Sequence, residues 1–527
     1  MNWLVPLMVL VPLLGAAITL TAARKQRLQI ALASVTMVIS LTISIVLLTV
    51  VHQTGTALVV QVGGWAAPFG ISLVVDRLSA LLILVTSIVL IAVMAFSIGQ
   101  GAADGDEETP VSIFYPTYLV LAAGVYNAFI AGDLFNLYVG FEILLVASFV
   151  LITLGGTASR IRAGITYVVV SLVSSLLFLV SIAMVYAAVG TVNMAEISLR
   201  MPEVAENVQL AIHLMLLVAF GIKAALFPLS FWLPDSYPSA PAPVTAVFAG
   251  LLTKVGVYAI LRTESLMFAS NDISTLLIIV AMFTMVVGIL GAVAQAGIRR
   301  MLSFTLVSHI GYMIFGIALG TEAGWAATVY YILHHILVQT ALFLVTGLIE
   351  RVAGTSTLTH LGGMLKRAPF VAVLFFIPLL NLGGIPPFSG FIGKLALFVA
   401  GAEGTNLQLP QYLVWTGIGI GALTSLLTLY ALIRVWNLGF WRSQSEVEEF
   451  QSQLTDQLEE VPDGEVITET KTNSTLMNVA TATMVLITVL MTVFAGPIYE
   501  IADAASENLM DPTQYVATVD EIEGSKP

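Results

Sequence analysis

The sequence predicts an all-α polytopic membrane protein of about 14 transmembrane helices, two of them broken in mid-membrane. Three observations carry that reading. The chain of 527 residues is 58% hydrophobic and 10% charged, whereas a globular domain carries about 25% charge. Apolar runs of about 18 residues or more recur from end to end. Two of these runs are interrupted by proline and glycine, lie five spans apart, and each holds a lysine.

Apolar runs bounded by charge, glycine and proline give spans at 3–22, 28–51, 73–98, 113–130, 134–156, 163–190, 207–231, 238–262, 273–296, 301–320, 324–349, 369–401, 411–437 and 476–498. The first is read as a retained helix rather than a signal peptide, because Arg24, Lys25 and Arg27 follow the apolar stretch instead of preceding it. With the N-terminus outside, the loops that face the cytoplasm hold those three and Arg160, Arg162, Arg299, Arg300, Arg351, Lys366, Arg367, Arg434, Arg442 and Lys471. The outer side holds only Arg77, Arg200, Arg262 and Lys526. That asymmetry is the positive-inside pattern, and one helix more or fewer would scramble it. The expected protein is therefore multi-pass in a prokaryotic cell membrane, with both termini outside.

Residues 438–475 read as an acidic cytoplasmic insert. In it Val447, Phe450, Leu454, Leu458 and Val461 recur at helical spacing, which predicts a short amphipathic helix. The segment after helix 14, 499–527, reads as a loosely ordered acidic tail. The net charge of −12 comes mostly from such loops and tails. Nothing is basic enough to hold nucleic acid. The absence of cysteine excludes disulfides, thiolate chemistry and cysteine-ligated iron–sulfur centres. No zinc-ligand cluster, nucleophile elbow or dinucleotide fingerprint is present, so no cofactor is expected.

The breaks are "FGIKAALFPLSFW", around Lys223 and Pro228, and "LLNLGGIPPFSGFIGKLALF", around Gly383, Gly384, Pro386, Pro387 and Lys394. Proline removes a backbone donor, and a broken ladder in a bilayer is tolerated only where it faces protein or water. A five-span separation is odd, so a repeat built on these breaks would be inverted, as in many ion transporters.

Few ionisable groups lie deep in the spans. They are Glu142 in the fifth, Lys223 in the seventh, Lys254 in the eighth, His309 in the tenth, His334 and His335 in the eleventh and Lys394 in the twelfth. Asp133 and the Asp76–Arg77 pair sit at helix ends. An intramembrane charge costs about 2.5–3.5 kcal/mol on insertion scales. One carboxylate cannot neutralise three lysines, and burial without a partner favours the uncharged amine. Such groups at one depth, joined by water, form a proton relay. Glu142 would gate it by pairing with Lys223 and releasing it. Lys394 has a second reading, as partner of a carbonyl freed by the break. His309 reads equally as a hydrogen-bonded core histidine. His334 and His335 point to different sides of their helix, so one of them at most is expected in the path. His213 reads as structural.

"LFNLYVGFEILLVASFVLI", "FGIKAALFPLSFWLPDSYPSAPAPVTAVFAGLLTKVGVYAILR", "SHIGYM", "HHILVQTALFLVTG" and "GGIPPFSGFIGKLALF" together resemble the antiporter-like subunits shared by complex I and the Mrp-type multisubunit cation/proton antiporters, and within them the D-type Mrp subunits. The resemblance runs through spans four to thirteen. It implies inverted five-helix repeats in helices 4–8 (113–262) and 9–13 (273–437), after N-terminal helices 1–3 (1–112) and before helix 14 (476–498). It also implies sodium/proton exchange by an assembled hetero-oligomer, with Glu142 as the family acid and Lys223, Lys254 and Lys394 as its lysines. The chain departs from relatives at Gln339, where they often carry lysine, so a fully symmetric relay is not expected and His335 or His334 would take over. Because the deep charges are mostly positive, the proton path is assigned here and sodium to another part of the complex. The alternative is a proton-pumping subunit of a complex I or membrane-bound hydrogenase type assembly, which would differ in its neighbours. A self-contained carrier of organic solutes would want an aromatic and amide-lined centre instead.

Overall fold

The computed structural model describes residues 1–22, 25–65, 67–101, 113–268, 273–404, 409–447 and 474–524. Among the described residues, 12 helices are long and apolar enough to cross a membrane, and two shorter apolar helices, Phe114–Ile130 and Pro369–Gly383, fall in two further expected spans. In chain order the first elements are α1 Leu7–Thr21, α2 Gln26–Thr54, a hairpin of β1 Leu58–Gln61 and β2 Ser72–Val75, then α3 Arg77–Gln100, α4 Phe114–Ile130, α5 Leu134–Thr153, α6 Ala158–Val189 and the short α7 Met194–Arg200. The first interrupted stretch follows as α8 Glu206–Ala224, α9 Leu233–Ser236, α10 Ala242–Val247 and α11 Thr253–Leu266. Then come α12 Ser274–Val293, α13 Ile298–Leu319, α14 Glu322–Ala353, α15 Met364–Arg367, the two halves of the second broken helix, α16 Pro369–Gly383 and α17 Ser389–Glu403, and α18 Gln411–Val435. The chain ends in α19 Ser474–Val493, α20 Ala495–Met510 and α21 Thr513–Gly524.

Burial sorts these helices as their sequences demand. The stretch 242–266, α13 and α14 are buried on nearly every side, which is how a helix apolar all round must sit. They form the centre. On α6, Val169, Leu172, Leu176 and Val180 remain exposed, as lipid-facing side chains do. Close approach at the lysines comes from small residues. A side chain on Gly256 of α11 would fall 2.6 Å from the Ala224 nitrogen, so the backbones of α8 and α11 touch beside Lys223.

Both interruptions exist, and each is closed locally. The expected seventh span, 207–231, is helical only to Ala224. Ala225 turns into the left-handed region (φ 60°), and the Trp232 indole donates to the freed Ile222 carbonyl at 3.1 Å. In the twelfth span α16 stops at Gly384 (φ 80°) and α17 restarts at Ser389. Between α10 and α11 the helix widens into a π turn over Phe248–Leu252, just before Lys254. Such bulges gather at functional sites.

The C-terminal segment corrects the sequence reading. The last span ends at Val493, and the acidic tail is helical, not loose. α20 buries Ala502, Ala505, Ser506 and Leu509, and Tyr499 meets Tyr330 of α14 with ring centroids 5.6 Å apart. Asp76 and Arg77 sit at a helix end as expected, with Asp76 capping α3, and each takes its own partner. Arg77 donates to Ala504 O and Asn508 Oδ1 of α20, while Asp76 pairs with Arg262. Of the amphipathic helix expected in the insert, all but Val447 lies outside the described residues.

Candidate functional site

The first cluster lies where α5, α6 and α8 meet. Lys223 is buried at the last turn of α8 and reaches α6. Its Nζ donates to Ser175 Oγ at 3.0 Å and to the Ser171 carbonyl at 3.3 Å, with the Phe141 ring 5.5 Å away. Ser171 and Ser175 are one turn apart, so they share one face of α6. Glu142, half-buried on α5, is within electrostatic reach of Lys223. The two do not touch, and the buried Glu142 Oε1 has no hydrogen-bond partner among the described residues. The two are therefore apart in this structure. Beside Lys223 a small cavity is lined by Phe141, Tyr167, Ser171, Trp232, Tyr237 and Leu252, with room for a water molecule.

Lys254 is fully buried on α11 and donates back to the Ala249 carbonyl of the π turn at 2.6 Å. From there a file of rings leads across the centre. Lys254 is within electrostatic reach of His335 and His309. The imidazoles of His309 and His335 lie 5.2 Å apart. Neither ring nitrogen of His335 has a partner among the described residues. His309 is held at both nitrogens, by the Tyr331 hydroxyl at 2.7 Å and by Thr428 Oγ1 at 3.3 Å. His334 meets Ser389 Oγ at 3.0 Å, at the start of α17. Of the histidine pair, His335 faces His309, while His334 turns to Ser389 at the start of α17. Tyr312 is 5.5 Å from His309 by ring centroid and has Lys394 Nζ 5.4 Å over its own ring.

Lys394 closes the row. Its Nζ donates to the Leu382 carbonyl at 2.8 Å and to Ser425 Oγ at 3.0 Å, and Ser425 donates to the Gly383 carbonyl at 2.9 Å. The second sequence reading of Lys394, as partner of a freed carbonyl, thus holds in geometry. Gln339 is half tied: its Nε2 donates to the Leu302 carbonyl of α13 at 2.7 Å, while its buried Oε1 has no partner among the described residues. Asp133 caps α5, accepting the Asn136 N–H at 2.6 Å. Burial pushes its carboxyl up to about 6, against the hydrogen bonds from Asn136, Ser72 and Phe135 that lower it. His213 stacks on Phe268 and bonds Glu264 at 2.6 Å, away from the row, as a structural histidine does.

Residues 131–428 match the family described as "NADH:quinone oxidoreductase/Mrp antiporter, TM". The chain belongs to that family. A relative from Alkalihalophilus pseudofirmus, named as the D-type subunit of a Na(+)/H(+) antiporter, is 37% identical over 98% of this chain and 99% of its own. A chain of the Mrp complex from Dietzia sp. DQ12-45-1b superposes with a TM-score of 0.86 at 30% identity, over 98% of this chain and 99% of that one. A chain of respiratory complex I from Thermus thermophilus shares the fold, with a TM-score of 0.75 at 22% identity over 96% and 99%. As a member of the Mrp antiporter family this multi-pass chain is a transport component rather than an enzyme. Its structural neighbours sit in multisubunit complexes, which supports a hetero-oligomeric setting here.

The family resemblance named the charged residues; it did not name what holds them. Ser171, Ser175, Ser425, Tyr331 and Ser389 all contact the row. The serines of "SLVSS" are legible at helical spacing, but serine spacing alone is too common in membrane helices to mark a site. Tyr331 stands four residues before His335, on the same helix face, which is the one signal that was available.

Proposed function

We propose that this chain is the proton-translocating subunit of a multisubunit sodium/proton antiporter, passing H⁺ along Glu142, Lys223, Lys254, His335, His309 and Lys394 with water between them. The observation that carries the reading is the buried file from Lys254 through His335 and His309 to Lys394, which holds basic groups with no carboxylate paired to them among the described residues. The unpartnered Glu142 Oε1 gives an acid free to swing. When its carboxylate approaches Lys223 the ammonium form is favoured; when it withdraws, the amine gives its proton up toward Lys254. His334, next to Ser389, branches from the file toward the second break, and Asp133 stands at the end of the acid-bearing helix. Sodium crosses elsewhere in the complex, since a file of positive groups repels a hard cation that wants carboxylates or carbonyls.

The chain sits in the plasma membrane with its N-terminus outside. In support, Arg160, Arg299 and Arg351, all assigned to the cytoplasmic loops, gather around one cavity with Pro241 and Thr355. The partners are the other subunits of the antiporter. The test is sodium-driven proton exchange in everted vesicles carrying the whole complex. Glu142→Gln or Lys254→Met should abolish exchange while the other subunits still co-purify. Unchanged exchange in an assembled variant refutes the relay, and co-purification with NADH-oxidising or metal-cluster subunits would move the chain to a redox-driven complex.

A further inference from the structure

Lys254 has two directions open to it, and one of them is blocked. Lys254, Tyr258 and Arg262 follow each other at every fourth position of α11, so they line one face of the helix, leading toward the end proposed above to face outward. Tyr258 is buried; its hydroxyl donates to the Phe129 carbonyl at 3.0 Å and lies 3.4 Å from Ser79 Oγ. A chain of hydroxyls like this carries protons readily, because each oxygen both accepts and donates.

The next group does not. Arg262 donates from Nε to the Tyr258 hydroxyl at 3.4 Å and from one terminal nitrogen to Ser79 Oγ at 3.3 Å. It also grips Asp76 with both terminal nitrogens, at 2.6 and 2.9 Å. A guanidinium has five donors, no acceptor, and keeps its charge at any working pH. It therefore occupies an acceptor position on each of Tyr258, Ser79 and Asp76 while accepting no proton from any of them. The assembly is buried: Arg262 is 3% and Asp76 7% exposed. Asp76 is locked further, because it caps α3 through the Ser79 N–H at 2.9 Å. The Tyr515 ring of α21 lies 5.6 Å from the guanidinium and covers it. Outward of the histidines the groups differ. The buried Tyr330 hydroxyl has no partner, and its ring meets Tyr499 of α20.

We infer that Arg262, gripped by Asp76 and covered by Tyr515, is the outward stop of the first half of the relay, so that a proton on Lys254 leaves only sideways, toward His335 and His309. The inference rests on the relay proposed above. It makes Arg262 a positioning residue that sets the direction of transfer, and it gives the C-terminal helices a part in keeping the membrane proton-tight.

The experiment is passive proton flux, without sodium, into proteoliposomes of the purified complete complex with an internal pH dye. Arg262→Gln should raise the flux roughly tenfold, the factor a unit charge about 12 Å from Lys254 contributes at an effective dielectric near 20. Adding Lys254→Met should remove that leak. An assembled Arg262→Gln complex as tight as wild type overturns the inference, and so does a leak that survives Lys254→Met. Where Arg262→Gln does not assemble, Arg262→His is read instead. Flux low in acid and rising as the imidazole loses its charge supports the stop; flux independent of pH overturns it. Exchange measured in Lys254→Met alone separates the two readings. Retained exchange refutes the relay, whereas a tight Arg262→Gln beside an inactive Lys254→Met refutes the stop and leaves the relay standing.

Discussion

The two breaks carry the same residue types and use them differently. At the first, the Ile222 carbonyl is shared by the Ala225 N–H and the Trp232 indole, and Lys223 reaches across to Ser171 and Ser175 on α6 with the Glu142 carboxylate near. At the second, Lys394 itself takes the freed Leu382 carbonyl, and Ser425 takes that of Gly383. A lysine relieved of structural duty is free to exchange its proton under the influence of a mobile acid. A lysine that stitches a break is tied to the backbone and feels histidines instead. The first site is built to be gated and the second to be held, and that difference orders the expected outcomes of mutation.

The largest effect separates the lysines by stability rather than by transport. Lys223→Met and Lys394→Met should each lower exchange by about 100-fold or more, the usual scale for losing a positioned proton-transfer group. Only Lys394→Met should also destabilise the protein, by about 1–3 kcal/mol, because it orphans the buried Leu382 carbonyl. Thermal unfolding in detergent beside exchange in vesicles checks both. Equal loss of stability in the two variants would break the comparison.

The acid side of the first region gives a pH prediction. Asp133 caps the helix that carries Glu142, and its carboxyl is raised from 3.8 to about 6 by burial. The sign follows from proton counting. Between those values the folded chain holds a proton that the unfolded chain has lost, so this group's contribution falls as pH rises from about 4 through 6. The slope is at most about 1.4 kcal/mol per pH unit. Melting of the Asp133→Asn variant, whose amide still caps α5, should lack that decline. A wild type that gains stability over the same window through this residue would contradict it.

At the second break the backbone itself is the target. Gly384 holds φ 80° with Lys394 and Ser425 packed over it, and a Cβ would fall 3.0 Å from Ser425 Oγ and 3.1 Å from Lys394 Cδ. Gly384→Ala should cost about 2 kcal/mol from the left-handed conformation. It should also lower exchange by moving Lys394, whereas a fall in stability with full exchange would mean that the lysine's tie to the break is not needed for transfer.

How much of this was legible follows from what each feature depends on. Apolar length and basic loops depend on neighbouring residues, so the spans and both breaks could be read from the chain. The lysines and Glu142 stood out because a charge in hydrocarbon is expensive wherever it occurs. Partners were the hidden part. Asp76 was legible at a helix end, but its ion pair with Arg262, 186 residues on, was not. The acidic tail looked solvated, but its Ala502, Ala505 and Leu509 form one apolar face that docks beside α14. Trp232 drew no reading from the sequence, and only the folded chain places its indole on the break.

That indole offers the finest probe of the contrast. Trp232→Phe keeps most of the aromatic bulk stacked on Tyr167 at 5.4 Å but deletes the donor to Ile222. It should cost about 1 kcal/mol, the net value of a typical hydrogen bond. The Ile222 carbonyl, left with the Ala225 N–H alone at 3.2 Å, lies one residue from Lys223, as Leu382 lies at the break beside Lys394. If the ammonium of Lys223 turns to cap it, the first site is converted toward the second, and exchange should fall while stability largely returns. Adding Lys223→Met to Trp232→Phe tests that conversion. Loss of stability greater than the sum of the single variants means that Lys223 had taken over the carbonyl, whereas strict additivity means that the two breaks keep their separate designs even when the indole is gone.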